Sequence, residues 1–98
     1  MLYLNKYELT LVVNPNLDDE TCKAEVEKIK QEIARFKGSV ETVDEWGKRR
    51  LAYEINYLTE GYYFIIGFDG EPETPKELES RLRINESVLR YLIVRAGE

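Results

Sequence analysis

Ser39-Val40-Glu41-Thr42-Val43-Asp44-Glu45-Trp46-Gly47-Lys48-Arg49-Arg50-Leu51-Ala52-Tyr53-Glu54-Ile55-Asn56 is the stretch on which the plan of this chain turns. Val40 and Thr42 open an alternation of period two, and Leu51, Tyr53 and Ile55 resume one, each the pattern of a strand with one buried face. The two sets differ in parity, even-numbered first and odd-numbered after. A one-residue change of phase carries side chains across a sheet. The sequence therefore predicts one long bent strand, or two collinear pieces, with a bulge near Trp46-Gly47.

Upstream, Lys6–Val13 alternates Tyr7, Leu9, Leu11 and Val13 with Glu8, Thr10 and Val12, a strand that Asn14-Pro15-Asn16 stops. Asp18, Asp19 and Glu20 then open a helix with acid at its positive end. Its apolar stripe is Cys22, Val26, Ile29, Ile33 and Phe36, and Gly38 fits a left-handed cap. Downstream, Asn56–Gly61 reads as a turn and Tyr62–Phe68 as a strand apolar on both faces, hence central or covered. Asp69–Glu73 is an acidic loop. Thr74-Pro75-Lys76-Glu77 predicts Thr74 as N-cap, proline at the first helical position and Glu77 at the third for a capping box, for a helix that carries Leu78, Leu82 and the stem of Arg81 and ends near Ile84-Asn85. Val88–Arg95 is the last strand.

The order is strand, helix, strand, strand, helix, strand. Each helix has one apolar stripe, so both cover the same face of a four-stranded antiparallel sheet: an α+β, ferredoxin-like βαββαβ sandwich, in a single domain over residues 1–98. The opposite sheet face is left bare, with aromatic and aliphatic candidates from the middle and last strands. A monomer normally hides such a patch, so something is expected to dock there or along an edge.

Composition narrows the chemistry. There is no histidine and one cysteine, which excludes a His-ligated zinc site, a Ser/His/Asp triad and a Cys/His pair. Carboxylates are spread along the chain, and the six glycines never form a phosphate-cradling loop. No enzyme, catalytic residue, metal site, cofactor or small-molecule substrate is expected. Cys22 reads as a small core residue. No apolar run is long enough to span a bilayer and the start has no signal-peptide layout, so no membrane partner is expected and the cytoplasm is the default location. With 14 Lys+Arg against 19 Asp+Glu the net charge is -5, which excludes a uniformly basic nucleic-acid coat but not a local basic patch.

Such a patch exists. Lys48-Arg49-Arg50 is the densest basic cluster, beside Trp46 and Tyr53, and each base that meets a phosphate releases counterions. The competing use is an edge strand whose charges prevent aggregation. Arg81, Arg83, Arg90 and Arg95 form a second basic group, whereas residues 69–79 hold five acids and one base. Tyr62, Tyr63 and Phe64 lack the glycine-aromatic pattern of RNA-recognition sheets and read as packing.

Gly47-Lys48-Arg49-Arg50-Leu51-Ala52-Tyr53-Glu54-Ile55-Asn56 resembles the signature of the bacterial small-subunit ribosomal protein six family. The resemblance extends to Tyr7-Glu8, Val13-Asn14-Pro15-Asn16-Leu17, Gly61-Tyr62-Tyr63 and Leu82-Arg83-Ile84. It implies a non-enzymatic ribosomal role: binding the central domain of 16S ribosomal RNA jointly with small-subunit ribosomal protein eighteen, which lies against the sheet and its long second strand. Two departures are the end at Glu98, short of the tail many members carry, and Leu2-Tyr3-Leu4-Asn5 ahead of the first strand. The candidate RNA- or partner-binding residues are Lys6, Trp46, Lys48, Arg49, Arg50, Tyr53, Arg90 and Arg95. If Leu51 and Tyr53 face the helices, alternation puts Arg49 with them and leaves Lys48 and Arg50 on the open face. The alternative function is a small-molecule-sensing regulatory domain of the same fold that pairs with itself through the sheet. A metal chaperone would need a Met-x-Cys-x-x-Cys loop where this chain has Asn14-Pro15-Asn16-Leu17.

Overall fold

A computed structural model of the chain describes residues 5–55 and 57–96, so Leu2, Tyr3 and Leu4 lie outside it. The elements are β1 (Asn5–Val13), α1 (Asp19–Arg35), β2 (Ser39–Ile55), β3 (Leu58–Gly70), α2 (Thr74–Arg83) and β4 (Val88–Ala96). The strands form one antiparallel sheet in the order β2-β3-β1-β4. The expected sandwich is present. Leu9, Leu11 and Val13 of β1 and Phe64, Ile66 and Phe68 of β3 form its floor, under Cys22, Val26, Ile29 and Ile33 of α1 and Leu78 and Leu82 of α2.

Helix α1 starts where the acidic run predicts. Asp18 caps it by accepting a 2.7 Å hydrogen bond from the Thr21 N–H. At its far end Lys37, not Gly38, takes the left-handed conformation, with φ 66°. Gly38 is there for space: a Cβ on it would stand 2.7 Å from the Ile33 methyl. Helix α2 also departs from its expected cap. Its N-cap is Glu73, without a side-chain cap bond, and Thr74 is buried. The Thr74 hydroxyl donates instead to the Phe36 carbonyl at 2.7 Å, tying the start of α2 to the end of α1. Glu25 of α1 likewise holds the turn before β4, accepting from Asn85 Nδ2 at 3.1 Å and Ser87 Oγ at 3.4 Å.

The long segment from Ser39 is one strand of 17 residues. It carries the expected irregularity between Glu45 and Gly47 but also a second, between Val40 and Thr42, and its register slips again between Arg50 and Ile55. The hairpin to β3 is tighter than the predicted turn: Ile55 pairs with Leu58, and Tyr57 sits at φ 66°. Asn56, which the sequence placed at the start of that turn, is outside the described residues.

Candidate functional site

The first two irregularities decide which face the side chains of β2 meet up to Arg50. Val40 lies opposite Phe68, on the helix side. The first slip puts Thr42 opposite Gly67 on the open face and Val43 opposite Ile66. The second, at Trp46, puts Gly47 opposite Tyr63 on the open face and Lys48 opposite Tyr62, which packs on the core. Two changes of phase cancel, so even numbers face the helices again after Trp46. The roles expected for the basic cluster are therefore exchanged, and Leu51, beside Gly61, and Tyr53, against Arg90, belong to the open face. Arg49, opposite Gly61, is the open-face residue, whereas Lys48 and Arg50 share the parity of the helix side.

Packing agrees with that assignment. A Cβ on Gly61 would fall 2.4 Å from Val12 Cγ1 and 3.6 Å from Leu51 Cδ2, so Leu51 closes over Val12 on the open face. Val12 is only 2% exposed for this reason, although it points away from the helices. Tyr53 reaches β4, where the Arg90 guanidinium lies 5.3 Å from its ring centroid. Arg49 is fixed twice: its Nε donates to the Trp46 carbonyl at 3.1 Å, and its guanidinium lies over the Trp46 ring at 5.7 Å. On the other side of the strand, Lys48 stands over Tyr62 at 5.5 Å. Each is a cation held against an aromatic face, worth about 0.5–1 kcal/mol at an exposed site.

The structure thus pairs Trp46 with Arg49 and Tyr53 with Arg90 and sets Lys48 and Arg50 on the other side of β2 from Arg49. It does not bring Lys6 or Arg95 to this end of the sheet, because Lys6 pairs with Ala96 at the opposite end of β1. Lys6 is engaged by carboxylates, with Glu41 at 2.8 Å and Asp69 at 3.5 Å, and the Glu41 hydrogen bond raises its pKa. Arg95 donates to Asn5 Oδ1 at 3.0 Å.

Between these ends lies an apolar strip that the candidate residues did not include. Ile65, Thr10 and Leu92 form one cross-strand row of the open face, and Val94 belongs to the next. Leu92 is 59% and Val94 42% exposed, although both are large and apolar. Beside them Thr10, Val12, Tyr63, Arg90, Tyr91 and Leu92 line a shallow cleft of about 200 Å³. The sequence signal was the run Tyr62–Phe68, apolar on both faces, and the alternation of Leu92 and Val94 in the last strand.

Among the described residues no group of three or more Cys, Asp or Glu could hold a metal ion, and no helix is long and apolar enough to cross a membrane. Cys22 is buried in the core; burial first, then the carboxylates of Glu45, Asp19 and Glu25, push its thiol pKa up. It is a packing residue rather than a nucleophile.

A family model described as ribosomal protein S6 matches residues 6–95. The chain is 48% identical over 91 residues to the small ribosomal subunit protein bS6 of Clostridium novyi, covering 93% of this chain and 96% of the relative. It is 47% identical to the protein of the same name from Clostridium beijerinckii, with the same coverage. Its fold superposes on the crystal structure of the 30S ribosomal protein S6 from Thermotoga maritima with a TM-score of 0.91 and 30% identity, over 96% of this chain and 89% of that one.

Proposed function

This chain belongs to the ribosomal protein S6 family, and from that premise we propose that it binds the central domain of 16S ribosomal RNA jointly with small-subunit protein eighteen. Members of the family are structural proteins of the small ribosomal subunit and not enzymes, so the chain acts in the ribosome, in the cytoplasm. The observation that carries the joint reading is the open sheet face. It exposes Leu92 and Val94 beside Ile65, and its cationic residues, Arg49 and Arg90, gather at one end. An apolar strip of this kind suits a protein partner, and a cationic rim suits a polyanion beside it. A chain of net charge -5 is a poor RNA binder alone, since few of its bases can release counterions, so a basic partner is needed to supply most phosphate contacts.

The test is a titration of a central-domain RNA fragment with this protein alone, with protein eighteen alone and with both, at physiological salt. The expected result is weak binding by this chain alone and tight binding by the pair. Sub-nanomolar binding without a partner would remove the cooperative reading. A free homodimer that never associates with the RNA or with protein eighteen would favour the regulatory-domain alternative.

A further inference from the structure

We propose that Trp46 and Arg49 form a stacking site for an unpaired nucleobase of RNA, an inference that rests on the ribosomal-RNA reading and gives it a defined contact. The irregularity at Trp46, completed by Gly47 at φ 78°, turns the indole out of the edge strand. The ring is 52% exposed and is not part of the core cluster. Packing of the fold therefore does not account for a tryptophan here. Arg49 lies against the ring and is anchored to the Trp46 carbonyl, so an aromatic plane and a cation are fixed together before any ligand arrives. Stacking on an aromatic ring beside an arginine is how single-stranded nucleic acid is held without sequence readout.

Charge points the same way. Lys6, Lys30 and Arg83 each form an ion pair with a carboxylate. Among the described residues, Lys48, Arg49 and Arg50 form none. Lys23, Lys28 and Arg81 form none either, but only Lys48–Arg50 is a run of three, next to Trp46, with Arg49 on the open face to meet a phosphate. Tyr53 with Arg90 repeats the aromatic-guanidinium pairing on the same face. An added protein strand fits this edge poorly. β2 is irregular at Glu41 and at Trp46, which breaks the ladder a pairing strand would need. The apolar residues suited to a protein, Ile65, Leu92 and Val94, lie on β3 and β4 instead.

Trp46 is the only tryptophan of the chain, so its emission reports directly on the site. The full-length protein is titrated at low salt with a short oligoadenylate, with an RNA duplex of equal length, and with protein eighteen alone. Oligoadenylate is expected to quench the emission and the duplex to leave it nearly unchanged. By RNA filter binding, Trp46→Leu should weaken oligoadenylate binding roughly tenfold, while Trp46→Phe, which keeps a ring, retains most of it. Arg49→Gln should weaken it and make the salt slope shallower by about one unit. Emission unchanged at saturating oligoadenylate, or Trp46→Leu binding as tightly as wild type, overturns the proposal. Quenching by protein eighteen but not by RNA assigns the ring to the protein interface and overturns it too. If the wild-type pair fails to bind the central-domain fragment while oligoadenylate still quenches, the ribosomal-RNA reading fails and the stacking site stands.

Discussion

Gly61 marks where the open face is thinnest. Its missing side chain lets Val12 and Leu51 close over the sheet where Arg49 sits opposite, and a methyl group there would stand 2.4 Å from Val12 Cγ1. Gly61→Ala is expected to cost about 1–3 kcal/mol, the usual penalty for overfilling a packed site, read as a lower denaturation midpoint with an unchanged m-value. Thr74 has a comparable role on the helix side. Its hydroxyl is the donor that meets the Phe36 carbonyl in a buried contact. Thr74→Val should destabilise by about 1–3 kcal/mol, because the shape is kept and the carbonyl loses its partner. Thr74→Ser should recover most of the loss. If Val and Ser variants are equally stable, the hydrogen bond contributes nothing.

At the level of the element, α1 depends on its first turn for a pH-sensitive part of its stability. Hydrogen bonds from Thr21 hold the Asp18 carboxyl below the ordinary carboxylate pKa. A group whose folded-state pKa is depressed stabilises above its unfolded pKa, and that contribution is lost as pH falls through the folded value. Wild type should therefore exceed Asp18→Ala in thermal midpoint at neutral pH. The gap should narrow below the ordinary carboxylate pKa and close under the depressed one. A gap independent of pH down to strong acid would mean that the cap works without its charge. In β2 the corresponding determinant is geometric rather than ionic: two slips of register, one at Glu41 and one at Trp46, cancel each other and set which bases can reach a partner on the open face.

Across the whole molecule, two helices seal one sheet face and leave the other exposed. Leu92 tests this division, since it is 59% exposed and lies on the open face of edge strand β4. Leu92→Asp should change stability by less than about 1 kcal/mol, as expected for an exposed strand position. It should nonetheless weaken association with protein eighteen by more than tenfold, because a buried carboxylate without a partner is costly at an interface centre. Calorimetric titration against that partner, with a thermal melt of each variant, separates the two effects. Unchanged association would place the partner elsewhere on the molecule.

The sequence by itself determined the element order and the helix stripes at Cys22–Ile33 and Leu78–Leu82, and with no histidine it excluded a His-ligated zinc site and a Ser/His/Asp triad. These rest on local periodicity and on residue types. The stretch Gly47–Asn56, which resembled the ribosomal family, singled out Arg49 and Tyr53 as candidates, and the structure sets both on the open face. The faces of β2 were decided only in three dimensions. Alternation shows that side chains alternate, but the number of bulges between two alternating stretches depends on how the partner strand fits, here β3. One bulge was predicted, but two slips of register precede the basic cluster and a third follows it; the first two exchanged Arg49 with Lys48 and Arg50, and Leu51 and Tyr53 lie on the open face. Thr74 is the same lesson on a smaller scale. Its local sequence suits a helix cap, yet its hydroxyl finds the Phe36 carbonyl 38 residues away, because folding brings the end of α1 against the start of α2 and buries the Thr74 side chain beside that carbonyl.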